Sequence, residues 1–308
     1  MNAKKQKKRH LSDIFFAILM MVGYYIFTWP IELDILNRIY NQNSILAYNN
    51  TMVTYSDEDM EAMFKKMEEY NAGIYEEQQK QTYKYMGPSA TDSVYTSLPN
   101  SGADIGYLRI PDIGVNVVVS HGTTDVTLQG TAGHLYGTSL PIQGENVHSV
   151  IAAHSALSSA KLFTDLNKLK KGQKFYVTVL NQEFEYKIDQ IKVVLPEDDY
   201  KYEQIEAGKN YVTLYTCTPY GVNTHRLLVR GTLVGQKTVE TDDGGLNFTD
   251  LREIIMYSVM FGLVALGPMI ATMFYAVYRK HKRKNQRLKK NAALEKQKKG
   301  NESDEIIQ

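Results

Sequence analysis

Residues 14–31, IFFAILMMVGYYIFTWPI, and residues 254–278, IIMYSVMFGLVALGPMIATMFYAVY, run for 18 and 25 positions without a charge. A helix needs about 20 apolar residues to cross the hydrocarbon of a bilayer, so both read as membrane spans. Whatever lies between them must then fold with both ends at one membrane face. Pro30 and Pro268 fall inside these runs, and membrane helices tolerate proline where other groups satisfy the freed carbonyl. Residues 1–10 hold Lys4, Lys5, Lys7, Lys8 and Arg9, and residues 279–299 hold eleven Lys or Arg. Basic flanks stay in the cytoplasm, which puts the central region outside. The first run is longer than the apolar core of a secretory signal and no small-x-small site follows it, so it reads as an uncleaved anchor.

The net charge of +1 conceals an asymmetry. The basic ends leave residues 11–278 with 19 basic and 30 acidic side chains, a net of −11. An acidic central region excludes a nucleic-acid-binding role, which needs a basic surface. The basic ends are explained as topology determinants and leaflet anchors. No dense cluster of metal-ligating residues stands out, so neither metal nor cofactor is expected.

The chain divides into a basic N-terminus (1–13), a transmembrane helix (14–32), a helical arm with a loop (33–104), a β-rich domain (105–237), a linker (238–253), a second transmembrane helix (254–278) and a basic tail (279–308). In the arm, Ser56 followed by Asp59 reads as a helix start. Met60, Met63, Phe64, Met67, Tyr70 and Ile74 then recur at helical spacing, an amphipathic face for packing. Residues 87–104, GPSATDSVYTSLPNSGAD, read as a loop. From 105 onward, short β-rich runs such as IGYLRI, VNVVVS, SVIAAH, KFYVTVL, EFEYKIDQIKVVL, YVTLYTC and HRLLVRGTLV alternate with turns. Residues 157–170 are expected to add a short helix. Many short strands in so few residues predict a closed barrel.

Cys217 is the only cysteine. Outside the cell cysteines are commonly paired, and one cysteine cannot pair within its own chain. In YVTLYTC, Val212 and Leu214 share one face of a strand and Thr213, Tyr215 and Cys217 the other. The turn Thr218-Pro219-Tyr220-Gly221 follows, then HRLLVRG, so a hairpin would bring Arg226 beside Cys217. A guanidinium there favours the thiolate and stabilises an oxyanion, and an imidazole supplies a proton to a leaving amine. A surface salt bridge is the alternative for Arg226. The histidine is open among His121, His134, His148, His154 and His225. His154 ends an apolar run just before a loop, whereas His225 should face away from Arg226.

The stretch TLYTCTPYGVNTHRLLVRG (213–231) resembles the active-site signature of the sortases, specifically the pilus-assembling class C. GHLYGTSLPIQGENVHSVIAAHSAL (133–157), IGYLRIPDIGV (105–115) and the two-span layout agree with it. The resemblance implies a mainly β fold, a sortase-type closed β-barrel with flanking helices, plus N- and C-terminal transmembrane helices. It implies Cys217 as nucleophile, His154 as proton donor, Arg226 as the arginine that steadies the oxyanion, and Thr216 as a residue lining the substrate groove. Arg230 is the competing arginine, read as structural. The implied partners are the membrane and pilin subunits bearing LPXTG-like sorting signals and an acceptor lysine. The implied reaction cleaves the Thr–Gly bond through a thioester and forms a lysine isopeptide bond. The alternatives are a housekeeping-type sortase that anchors proteins to cell wall and a non-catalytic pilin-binding accessory protein.

The family pattern is broken in two places. Class C sortases usually carry an Asp-Pro-aromatic lid over the cysteine, and none of the eight prolines here follows an aspartate. Cys217 is therefore expected to be open, with Asp92 and Tyr95 as the alternative, an irregular lid. Ala156 stands where the family usually has a glycine.

Overall fold

The computed structural model describes residues 2–80, 92–99 and 104–239, together with 256, 267, 275, 278–288 and 291–292; for residues 2–17 and 20 it describes the backbone alone. The described residues form two compact units, one within 29–247 and the other from the two ends of the chain. Helix α1 (Asn2–Met52) continues through Pro30. Among the described residues no helix is long and apolar enough to cross a membrane. The expected span at 254–278 lies almost wholly outside them, as does the linker from residue 240.

Helix α2 (Asp57–Gln79) starts as its sequence dictates. Ser56 Oγ accepts from the Asp59 N–H and the Asp59 carboxylate accepts from the Ser56 N–H, a reciprocal cap on two otherwise unpaired donors. Met60, Met63, Met67 and Ile74 are buried, and Phe64 and Tyr70 pack at the edge of the core. A one-turn helix α3 (Ser93–Thr96) stands within the expected loop, capped by Asp92 through Val94 N at 2.8 Å.

Eight strands follow: β1 (Asp104–Ile110), β2 (Val115–His121), β3 (Ala132–His134), β4 (Val147–Ala152), β5 (Lys174–Val179), β6 (Gln182–Val194), β7 (Asn210–Thr218) and β8 (His225–Thr238), with a one-turn helix α4 (Asp125–Leu128) between β2 and β3. They close into a barrel in the order β1-β2-β3-β4-β7-β8-β6-β5, leaving no open edge. The β2/β3 and β4/β7 pairs are parallel and the others antiparallel. The expected helix at 157–170 is a 3-10 segment, Leu162–Lys168. Gly231 of the HRLLVRG run is required by packing: a Cβ there would lie 2.6 Å from the Phe175 ring, which stacks on Tyr186 inside the barrel.

The arm is joined to the barrel by one core. Ile45, Tyr48, Met52, Met60, Met63 and Met67 belong to the same buried cluster as Leu108, Val177 and Leu214. Side chains of the arm also stand in for strand backbone. Tyr48 Oη donates to Ile105 O and accepts from Leu180 N, at 3.0 and 2.7 Å. Asn71 makes a reciprocal amide pair with the backbone of Leu140, and Gln78 does the same with Ile205. Each satisfies a donor and an acceptor that burial would otherwise leave unpaired.

Two histidines are structural. His134 Nε2–H donates to Ser139 O while Nδ1 accepts from Tyr95 Oη, and His148 Nδ1–H donates to Gln204 O while Nε2 accepts from Thr213 Oγ1, with distances of 2.8 Å throughout. Burial holds both rings neutral down to a pKa of about 4. Glu203 shifts the other way: burial, then the nearby Asp199, raises its carboxyl to about 7. Between pH 6.5 and 4.5 the unfolded chain holds two more protons on these histidines and the folded chain one more on Glu203. From these groups, stability should fall by roughly 1.4 kcal/mol per pH unit of acidification across that window. Glu203→Gln removes the offset and should about double the slope, as urea titrations at stepped pH would show. An unchanged slope would refute the raised Glu203 carboxyl.

Candidate active site

Strand β7 carries Val212, Leu214 and Thr216 on its inward face and Thr213, Tyr215 and Cys217 on the other, where Thr213 is covered by His148 and only Tyr215 and Cys217 are partly exposed. Cys217 is partly exposed and its thiol is free. The hairpin to β8 sets Cys217 directly opposite Arg226, and Thr218 opposite His225. Cross-strand partners share a face, so Arg226 lies beside the thiol and His225 turns to the other side.

Arg226 is held on three sides. Its Nε–H donates to Tyr215 Oη at 2.9 Å, and Nη1 donates to the carbonyls of Asn223 and His225 at 3.1 and 3.2 Å. Burial opposes its charge, but the Tyr215 hydroxyl and the Cys217 sulfur outweigh this and raise its pKa above the ordinary arginine value. Tyr215 in turn donates to Asp199 Oδ2 at 2.7 Å, on the 3-10 segment Pro196–Tyr202. Burial and the Asp199 contact raise the phenol's pKa as well.

Arg230, four residues further along the same face, is engaged elsewhere. It pairs with Asp189 at 2.9 Å and Glu206 at 3.0 Å and lies 3.9 Å over the Tyr211 ring. Its side chain is 15% exposed and turned toward these neighbours.

His154 lies two residues beyond β4, and its surroundings tie it to the cysteine strand. Ala153 N donates to Tyr215 O at 3.1 Å, Thr216 Oγ1 to Ala153 O at 2.7 Å, and Ser155 Oγ to Cys217 O at 2.5 Å. The residues flanking His154 on both sides thus touch β7 within two positions of the thiol. Among the described residues the His154 ring makes no hydrogen bond, whereas His121, His134 and His148 bind backbone carbonyls and His225 binds Thr224.

Thr216, expected to line the substrate groove, lies on the inward face of β7. It is 2% exposed, points into the barrel, and spends its hydroxyl on Ala153 O. Strand alternation is the reason: the neighbour of an outward Cys217 must face inward. Its contribution is to join the end of β4 to β7, which places His154. Asp92 and Tyr95 also have other work. Asp92 caps α3, and Tyr95, fully buried, packs on His121, His134 and Tyr136 with its hydroxyl on His134. Among the described residues, no group of three or more His, Cys, Asp or Glu side chains could hold a metal ion.

Sequence reasoning left Tyr215, Asp199 and Ser155 without roles. Tyr215 shares the Cys217 face two positions away, a signal available in the sequence. Asp199, in PEDDYKY, carries none, because only the fold brings that segment to β7. The loop after His154 is strained: Ala156 (φ 63°) and Leu162 (φ 36°) both hold left-handed backbone. Left-handed backbone costs a residue bearing a Cβ about 1–2 kcal/mol. Ala156→Gly should therefore raise stability by about 1 kcal/mol in chemical denaturation, and a loss would show that the loop is not strained there.

The barrel that carries these residues matches known proteins. Residues 108–234 match the model of the Sortase domain. A solved sortase C from Streptococcus pneumoniae, described for its catalysis and pilin substrate specificity, is 38% identical, with 64% of this chain covering 99% of that one at a TM-score of 0.56. Sortase C1 from Streptococcus agalactiae is 40% identical, with 63% covering 98% at 0.57. Sortase A of Bacillus anthracis is 31% identical over 134 residues, 43% of this chain and 61% of that protein's length. With a barrel of this closure, a lone cysteine set against an arginine, and near-complete coverage of solved sortase C chains, the chain belongs to the sortase family.

Proposed function

We propose that this sortase is a membrane-anchored cysteine transpeptidase that assembles pilins. The observation that carries the reading is the placement of Cys217 opposite Arg226, with the His154 loop hydrogen-bonded to the Cys217 carbonyl. The Cys217 thiolate attacks the threonine carbonyl of an LPXTG-like signal, and Arg226 stabilises the resulting oxyanion. His154 as imidazolium gives its proton to the glycine amine as the C–N bond breaks, leaving a thioester. A neutral lysine amine of a second pilin attacks that thioester, the now neutral His154 takes the amine's proton, the Cys217 thiolate departs as the C–S bond breaks, and an isopeptide bond remains. Thr216 serves the site from within, by fixing the end of β4.

The pilus-assembling reading is supported by the sortase C structures, matched at 35–40% identity across nearly their whole length. The anchoring reading is supported by the uncharged runs and their basic flanks, and by the exposed apolar side chains of α1, among them Ile18, Ile26, Phe27 and Trp29. It puts the barrel outside a two-pass anchor. Incubating the full chain in detergent micelles with an LPXTG peptide, then with pilin subunits, tests the proposal. Peptide cleavage and a covalent pilin ladder by mass spectrometry are expected. Cleavage with transfer only to short oligoglycine would favour cell-wall anchoring, and binding without cleavage would favour an accessory role.

A further inference from the structure

We propose that Tyr215 and Asp199 form a positioning relay that fixes the Arg226 guanidinium so that one nitrogen, Nη2, faces the reacting acyl group. The proposal rests on the transpeptidase reading and concerns the same site. It follows from counting donors. A guanidinium carries five N–H groups in one plane. The Nε–H is held by Tyr215 Oη, and the Nη1 group by the carbonyls of Asn223 and His225. Among the described residues Nη2 makes no hydrogen bond, so its two N–H groups are left for a substrate oxygen. Holding Nε and Nη1 removes rotation of the side chain, and a donor fixed in advance loses little freedom when charge develops.

Asp199 determines whether Tyr215 can do this. A tyrosine hydroxyl has one hydrogen, and Asp199 Oδ2 takes it at 2.7 Å. The oxygen must then offer a lone pair, which is what the Arg226 Nε–H needs. Without that acceptor the hydroxyl is free to turn its hydrogen toward the guanidinium, donor against donor. The position of Tyr215 follows from the strand: it stands two residues before Cys217 on the outward face, diagonal to Arg226 across the β7/β8 pair. Asp199 comes from the 3-10 segment after β6, whose end pairs with Arg226 through Val194. The segment before β7 and the strand itself thus converge on one arginine, and neither residue touches the thiol.

The test compares Tyr215→Phe, Asp199→Ala, Asp199→Asn, Arg226→Ala and the Tyr215→Phe/Arg226→Ala pair in the full chain, with an LPXTG peptide as probe. Tyr215→Phe and Asp199→Ala should each lower kcat about 10-fold with KM changed less than about 2-fold, the signature of a contact that matters in the transition state. Asp199→Asn keeps an oxygen acceptor and should retain activity within about 3-fold of the parent. In the Arg226→Ala background, Tyr215→Phe should change kcat less than about 2-fold, because nothing remains to position. An unimpaired Tyr215→Phe, or an equal loss with and without Arg226, would overturn the relay. If the parent chain cleaves no peptide, the functional reading fails and the relay is judged by iodoacetamide alkylation of Cys217 at fixed pH. Tyr215→Phe and Arg226→Ala should then slow alkylation by the same few-fold factor, with no further slowing in the pair. Independent factors would overturn it.

Discussion

Cys217→Ala should reduce cleavage of an LPXTG peptide by at least about a thousandfold while leaving the barrel folded. Both halves of this expectation have structural causes. The thiol is the single nucleophile of its kind in the chain and faces outward beside Arg226. The same outward position means that its loss opens no core cavity, since the inward neighbours Leu214 and Thr216 are untouched. Circular dichroism and the thermal midpoint should match the parent within a few degrees, while chromatography shows no product and mass spectrometry no acyl-enzyme. Product formed by the alanine variant would remove Cys217 from the mechanism.

Arg226→Ala and Arg230→Ala should separate cleanly although the residues are four positions apart on one strand face. Removing Arg226 deletes the donor beside the thiol and should lower kcat about a hundredfold or more, in the range of a lost oxyanion donor. Its hydrogen bonds reach only Tyr215 and loop carbonyls, so the stability cost should be small. Removing Arg230 unpairs Asp189 and Glu206 and uncovers the Tyr211 ring, and should cost about 1 kcal/mol in chemical denaturation with kcat largely preserved. The assignment fails if the catalytic loss follows Arg230 instead.

Much of this was legible in the sequence because it depends on short-range rules. Alternation along YVTLYTC, a turn, and a second strand are enough to place Cys217 against Arg226 and turn His225 away. The capping pair Ser56/Asp59 and the methionine stripe of α2 follow from helix geometry alone. The expected strands all formed, but β3 is three residues long, too short to show a period. The inward facing of Thr216 follows from the same alternation that turns Cys217 outward. Asp199, Gln78 and Tyr48 act across separations of 16, 127 and 132 residues, and no local pattern encodes such pairs.

The Tyr48 link has a consequence for how the chain is made. Its hydroxyl binds Ile105, 57 residues downstream, and Leu180, 132 residues downstream. Synthesis therefore delivers the arm long before the strands it bonds to, and Asn71 and Gln78 of α2 wait in the same way for Leu140 and Ile205. Contacts of such separation slow folding, because the loop must close before any of them forms. A nascent chain halted ahead of β5 would hold Tyr48 with one of its two hydrogen bonds absent and the barrel unclosed. The arm is made before the barrel, yet its Tyr48 hydroxyl finds Leu180 only once β5 has been made.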